Sequence, residues 1–256
     1  DLIWMAKGYG INAMPLNHNA KDELEELIIN YRSKYDKIYL MMDSIYSMSG
    51  VVAPLQYYYS LLEKYDSFYL YADDAHGMSW TGDLGTGLLL SQIPWHEKLI
   101  MATSFSKGFG AHGSAVLLPN KKMKNQLKYL GSGTVFSGPL PPPSLASINA
   151  CADIHLSNEI LSHQKKLREN LTYFNLQCKI QIIPLKSASI SPVNFIELGA
   201  TATTLHLVSK LLLSGMIVNA CDFPAVPRNK SGIRITINAM HKKEEIQNLV
   251  HLISEP

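Results

Sequence analysis

Cysteine is scarce in this chain of 256 residues, with three, at positions 151, 178 and 221. They lie far apart and show no CxxC spacing. An odd, scattered set argues against a disulfide framework or a zinc site and reads as reduced thiols in a cytoplasmic setting, with no metal. Charge is sparse too. Asp, Glu, Lys and Arg make up 17% of the chain and the net charge is +2, too weak an imbalance to mark a nucleic-acid or anionic-membrane partner. No apolar run is long enough for a membrane span. There is no GxxxxGK[ST] loop, and the glycines at 82, 85 and 87 lack the GxGxxG order, so phosphate-loop and dinucleotide folds are disfavoured. Repeats and low-complexity tracts are missing as well. The first residue is Asp rather than Met, and "DLIWMAKGYG" reads as the middle of an amphipathic segment. The expectation is a chain that begins inside a longer protein, with any targeting signal upstream.

What is present is an alternation of short apolar runs with amphipathic stretches. "KIYLMMD" (37–43), "SFYLYADD" (67–74), "KLIMATS" (98–104) and "SAVLLP" (114–119) read as strands, the first as one buried on both faces and the last two as buried core strands. Helices are expected over 20–35, with acids in the first turns and bases at the end, and over 54–65, 120–130, 142–155 and 157–175. The rigid "GPLPPPS" (138–144) precedes one of them. Such an alternation predicts an α/β fold with a mostly parallel sheet over residues 1–156. Beyond that point "QIIPL", "VNFIEL", "MIVNA" and "GIRITIN", with helices near 202–214 and 242–253, read as a smaller α+β domain over 157–256.

In open α/β sheets ligands gather beyond the carboxyl ends of the strands. Three segments carry polar groups there: "DSIYSMSG" (43–50), "DDAHGMSWTGDLGTG" (73–87) and "SFSKGFG" (104–110). Each alone has a plain explanation. His76 fits a hydrogen-bonded core histidine, and Lys107 fits a surface lysine at a loop tip. Arg234, in the otherwise apolar "GIRITIN", fits a strand-edge charge. Their common location is what raises a functional reading.

Five segments taken together resemble the α-oxoamine synthase family, pyridoxal-phosphate (PLP) enzymes of fold type I within the class I/II aminotransferase superfamily. That family carries "DEAHSxGxxGxxGxG", "TFSKAxGxxGG", "FSMDGDxAPL", "FSxxLPP" and "LRxSLxAxH". The counterparts here are "DDAHGMSWTGDLGTG", "SFSKGFGAHGS", "YSMSGVVAPL" (46–55), "FSGPLPP" (136–142) and "IRITINAMH" (233–241). The match runs in order over nearly the whole chain, with Asp74 in place of Glu, Ser104 in place of Thr, and Asp222 where some synthases have arginine. The family's N-terminal portion, which carries a glycine turn for the phosphate and the ring-stacking residue, has no counterpart in the sequence.

The resemblance implies a role for each residue. Lys107 would bond the cofactor aldehyde, its amine pKa lowered by partial desolvation. Asp73, rather than Asp74, would keep the ring nitrogen protonated. His76 and Ser47 would lie near the ring's phenolic oxygen, and Ser104 and Ser106 near the phosphate. Arg234 would grip the carboxylate of the amino-acid substrate with its planar fork. Ser137 would reach the phosphate of a neighbouring subunit, which implies a homodimer with shared sites. The implied reaction condenses a small amino acid with an acyl-CoA, with loss of carbon dioxide, to give an α-aminoketone. An aminotransferase or lyase on the same fold, and a non-catalytic subunit that keeps the fold, remain as alternatives.

Overall fold

In the computed structural model, which describes residues 2–187 and 189–255, the apolar runs become two separate sheets. Asp1, on which the expectation of an interrupted N-terminal segment partly rests, lies outside the described residues. The chain runs α1 (Leu2–Gly8), α2 (Lys21–Tyr31), β1 (Ile38–Asp43), α3 (Leu55–Lys64), β2 (Phe68–Asp73), α4 (Leu88–Gln92), β3 (Leu99–Ser104), β4 (Ser114–Leu117), α5 (Lys121–Leu130) and α6 (Ser132–Val135). It continues through α7 (Pro142–His155), α8 (Glu159–Ile180), β5 (Val193–Gly199), α9 (Thr201–Leu213), β6 (Asn219–Cys221), β7 (Ser231–Thr236) and α10 (Lys243–Ser254). No helix among the described residues is long and apolar enough to cross a membrane.

The first sheet has the order β1-β2-β3-β4. β1, β2 and β3 are parallel, and β4 closes back antiparallel on β3. Its register matters for the site. Asp43 pairs with Asp73, Asp73 with Ala102, and Ser104 with Ser114, so the carboxyl ends of β1, β2 and β3 come out together. Leu40, Met42, Phe68, Leu70, Ala72, Leu99 and Met101 form one face and pack into a core with Leu24 and Ile28 of α2 and Tyr58, Leu61 and Leu62 of α3. The alternation of buried and half-open positions along β2 and β3 follows from the two-residue period of a strand.

Two expectations about these strands fail. β1 is not buried on both faces: Tyr39 and Met41 are 42% and 45% exposed, opposite Leu40 and Met42. β4 is an edge strand with Val116 and Leu117 largely open, not a core strand. A continuous apolar run does not by itself say how many faces are covered; neighbouring elements decide that.

The second sheet, β5-β7-β6, is antiparallel throughout. Its core joins Ile196, Ile233 and Ile235 to Leu171 and Phe174 of α8, Leu211 of α9, and Ile246 and Val250 of α10. "QIIPL" is not a strand. Ile182 takes a left-handed backbone (φ 57°) and the segment contributes one bridge, Leu185 to Ile196. Helix α8 instead extends to Ile180, past the expected end at 175. Helix α7 opens at Pro142, where a proline's fixed φ suits the first turn and its missing N–H costs nothing. Trp80 packs against both cores and donates its indole N–H to the His76 carbonyl at 2.8 Å.

Candidate active site

Past Ser104 the chain leaves β3 in a tight loop. Phe105 N–H donates to the Gly113 carbonyl, Ala111 N–H to that of Phe105, and Gly110 N–H to that of Lys107, at 2.9, 2.8 and 3.1 Å. Lys107 therefore stands at a turn, fixed at both ends of the loop. Lys107 is exposed, where the sequence reading expected partial burial. What surrounds it is a cavity of about 740 Å³, lined by His76, Lys107 and Arg234 together with Trp80, Phe109 and His155. Three of the residues singled out in the sequence thus meet at one space.

The remaining candidates lie around it or apart from it. Ser104 and Ser106 sit at the mouth of the loop with their hydroxyls 2.7 Å apart. Neither lines the cavity. Ser47 is exposed and takes part through its backbone: Arg234 donates from Nε to the Ser47 carbonyl at 2.8 Å. The structure does not bring Ser137 to the others. It lies exposed between α6 and α7.

The two adjacent acids have opposite surroundings. Asp74 is 0% exposed, accepts the Ser44 hydroxyl, and accepts the Leu89 N–H at 3.1 Å. Burial, only partly offset by these bonds, pushes its pKa up to about 6. Gly87, at φ 100°, lets the backbone pass close by; a Cβ there would run into the Asp74 carboxylate. Asp74 is a tether that pins the turn after β2 to the loop after β1 and to the start of α4. Asp73 is half-buried at the end of β2, and its Oδ1 accepts the Ala75 N–H at 2.8 Å.

Charge around the cavity is coupled. Burial first, and then the positive charges of Lys107 and Arg234, push the His76 pKa down to about 4, against a weaker pull from Asp73. His76 is therefore a neutral imidazole near pH 7. Asp43, next to Asp73 in register, has its pKa raised by burial and then by the Asp73 charge, with a backbone hydrogen bond from Ser47 and then Lys107 acting the other way. This carboxylate was not among the sequence candidates, although it ends a strand as Asp73 does.

Sequence reasoning also passed over Ser79 and His155. Ser79 is 5% exposed and has φ 80°, a left-handed backbone that favours glycine. It stands where the first glycine of "DEAHSxGxxGxxGxG" falls, and that departure was the signal for it. His155, at the end of α7, is 7% exposed and bonds Ser79 Oγ through Nε2 at 2.8 Å. No periodicity marks such a residue, because its partner is 76 positions away in the chain.

Comparison with known proteins gives a family. The family model described as aminotransferase class I and II matches residues 3–253. The 8-amino-7-oxononanoate synthase of Alkaliphilus oremlandii is 30% identical over 234 residues, 91% of this chain and 58% of that protein. The serine palmitoyltransferase of Bacteriovorax stolpii is 26% identical over 246 residues, 93% of this chain and 56% of that protein. Among solved structures, serine palmitoyltransferase from S. paucimobilis, with bound PLP–myriocin, superposes with a TM-score of 0.81 at 21% identity, over 93% of this chain and 58% of that one. The chain thus spans well under two thirds of the length of these relatives. Its fold is that of the fold type I PLP enzymes. With a family model matched from residue 3 to residue 253, the chain belongs to the aminotransferase class I and II family.

Proposed function

We propose that the protein is a PLP-dependent C-acyltransferase that condenses a small amino acid with an acyl-CoA, with decarboxylation, to give an α-aminoketone. The observation that carries the reading is the meeting of Lys107, His76 and Arg234 around one cavity, with Asp73 at the adjacent strand end. The donor set fits the cofactor. A lysine amine faces open space for an aldehyde, a half-buried carboxylate ends a central strand for a ring nitrogen, and two paired hydroxyls flank the loop for a phosphate. Residues 1–156 would supply most of the cofactor contacts and residues 157–256 the substrate anchor.

Bound there, PLP supplies an electron sink for the pair left at Cα when a bond to that carbon breaks. The protein's residues supply the rest. Asp73 would keep the ring nitrogen protonated, and neutral His76 would donate to the ring oxygen. Ser104 and Ser106, at the mouth of the Lys107 loop, would hold the phosphate. Arg234 would bind the substrate carboxylate and so orient the bonds at Cα. The Lys107 amine would take the α-proton and later return one to Cα; acyl transfer from the thioester would release CoA as its thiolate, and the carboxyl group would leave as carbon dioxide. Ser137, exposed and away from its own chain's cavity, suits a contact with a partner's phosphate in a homodimer with shared sites. The three free thiols suit a reducing, cytoplasmic setting.

The test is thiol release. The protein supplied with PLP should liberate free CoA from an acyl-CoA only when a small amino acid is present, with carbon dioxide in equal amount. Conversion of a keto acid to an amino acid, with no thiol released from any acyl-CoA tried, would make it an aminotransferase instead.

A further inference from the structure

Ser79 keeps a backbone conformation that glycine would adopt freely. It is held there from three sides. Its N–H donates to the Gly85 carbonyl at 2.8 Å, its carbonyl accepts from Gln164 Nε2 at 2.9 Å, and its hydroxyl meets His155 Nε2 at 2.8 Å. The first two bonds are to the backbone and would survive a glycine. The hydroxyl bond is what serine adds.

The orientation of His155 is set from its other nitrogen. Nδ1 lies 2.7 Å from the Cys151 carbonyl. A carbonyl can only accept, so Nδ1 carries the proton, and in the neutral ring Nε2 accepts from the Ser79 hydroxyl. The imidazole plane is thereby fixed, and Phe109 stacks on it with ring centres 4.5 Å apart and planes 21° apart. Phe109 is two residues beyond Lys107 and meets the ring of Phe105, two residues before Lys107, at 4.6 Å. Gly85 has no Cβ to collide with the His155 ring.

A continuous line of contacts thus leads from the turn that bears His76, through Ser79 and His155, to the rings on either side of Lys107. We propose that Ser79 and His155 are positioning residues for the Lys107 loop: the hydrogen bond fixes the imidazole, and the imidazole fixes Phe109 and with it the lysine. The catalytic meaning of this positioning rests on the reading of Lys107 given above. Plain core packing requires neither a strained serine nor a histidine bonded at both nitrogens.

Two variants separate positioning from packing. Ser79→Gly relieves the backbone and removes the hydroxyl; His155→Phe keeps a ring under Phe109 and removes both bonds. Hydrogen exchange of the segment 104–113 and the rate of PLP attachment to Lys107 are measured beside the melting temperature. Ser79→Gly should melt no lower than the unaltered protein, yet exchange in 104–113 should quicken by about ten-fold. Attachment to Lys107 should slow by about ten- to a hundred-fold, the scale of a misplaced reacting group. His155→Phe should do the same wherever it folds. Unaltered exchange and unaltered attachment in Ser79→Gly would overturn the proposal. If the unaltered protein attaches no PLP at Lys107, the catalytic reading fails, and exchange alone decides whether the pair holds the loop: quickened exchange supports the pair, unchanged exchange overturns it.

Discussion

Arg234 on β7 reaches out of its own sheet and donates from Nε to the Ser47 carbonyl, 2.8 Å away, in the loop that follows β1. One side chain thus joins β7 to the loop after β1, and the same residue lines the cavity. Nη1 makes only a long contact, 3.4 Å, with Thr236 Oγ1. The Nε bond fixes the plane of the guanidinium.

Lysine cannot reproduce that arrangement, since it has charge but no planar fork. Arg234→Lys should raise the KM for the amino acid by about ten- to a hundred-fold, the value of one charge-assisted hydrogen bond. PLP affinity should stay unchanged. Steady-state kinetics beside an absorbance titration checks both, and an unchanged KM would remove Arg234 from the substrate site.

Asp73 and Asp74 should respond oppositely to amide substitution. Asp73→Asn should keep its fold and lose about a thousand-fold or more in rate, on the order of 4 kcal/mol. Asp74→Asn should lose about 1–3 kcal/mol of stability, because a buried acceptor of the Ser44 and Leu89 groups is altered. Urea unfolding and turnover measured on both variants distinguish them. A crippled but stable Asp74→Asn, with a near-normal Asp73→Asn, would reverse the assignment.

Much of this was legible in the sequence because short apolar runs and amphipathic stretches mark strands and helices locally. β2, β3, α7 and α10 lie within a residue or two of where their patterns place them. The carboxyl-end location of Asp73 and Lys107 followed from those patterns. The exposure of Tyr39 and Met41 did not, since it depends on what packs against the sheet. Nor did the Ser79–His155 bond, which joins residues distant in the chain and depends on how α7 crosses the turn.

His76 and Asp74 give opposite pH signatures. The folded-state pKa of His76, about 4, lies below its ordinary 6.5. The unfolded chain therefore binds more protons between those values, and stability is lost as pH falls through that window. Asp74 has a folded-state pKa of about 6 against an ordinary 3.8, so its contribution is lost as pH rises between them. The stability of the protein relative to His76→Asn should climb from pH 4 to 6.5, and relative to Asp74→Asn should fall over pH 3.8 to 6. Denaturant unfolding across this range provides the readout, and slopes of the opposite sign would refute both environments.

Shared sites can be tested by mixing. A Lys107→Ala chain and a Ser137→Asp chain should each be inactive alone. Co-expressed, they should regain activity, because one site of the hybrid dimer holds both an intact lysine and an intact serine. No recovery from a proven hybrid dimer would place Ser137 outside the site.

Lys107 is proposed as the residue to which PLP attaches. Incubation of the protein with PLP, reduction with borohydride and peptide mapping tests it directly. The mass of a reduced pyridoxyl phosphate should appear on the peptide containing Lys107 and be absent from Lys107→Ala. Label on another lysine at equal occupancy, or label that persists in Lys107→Ala, would contradict it.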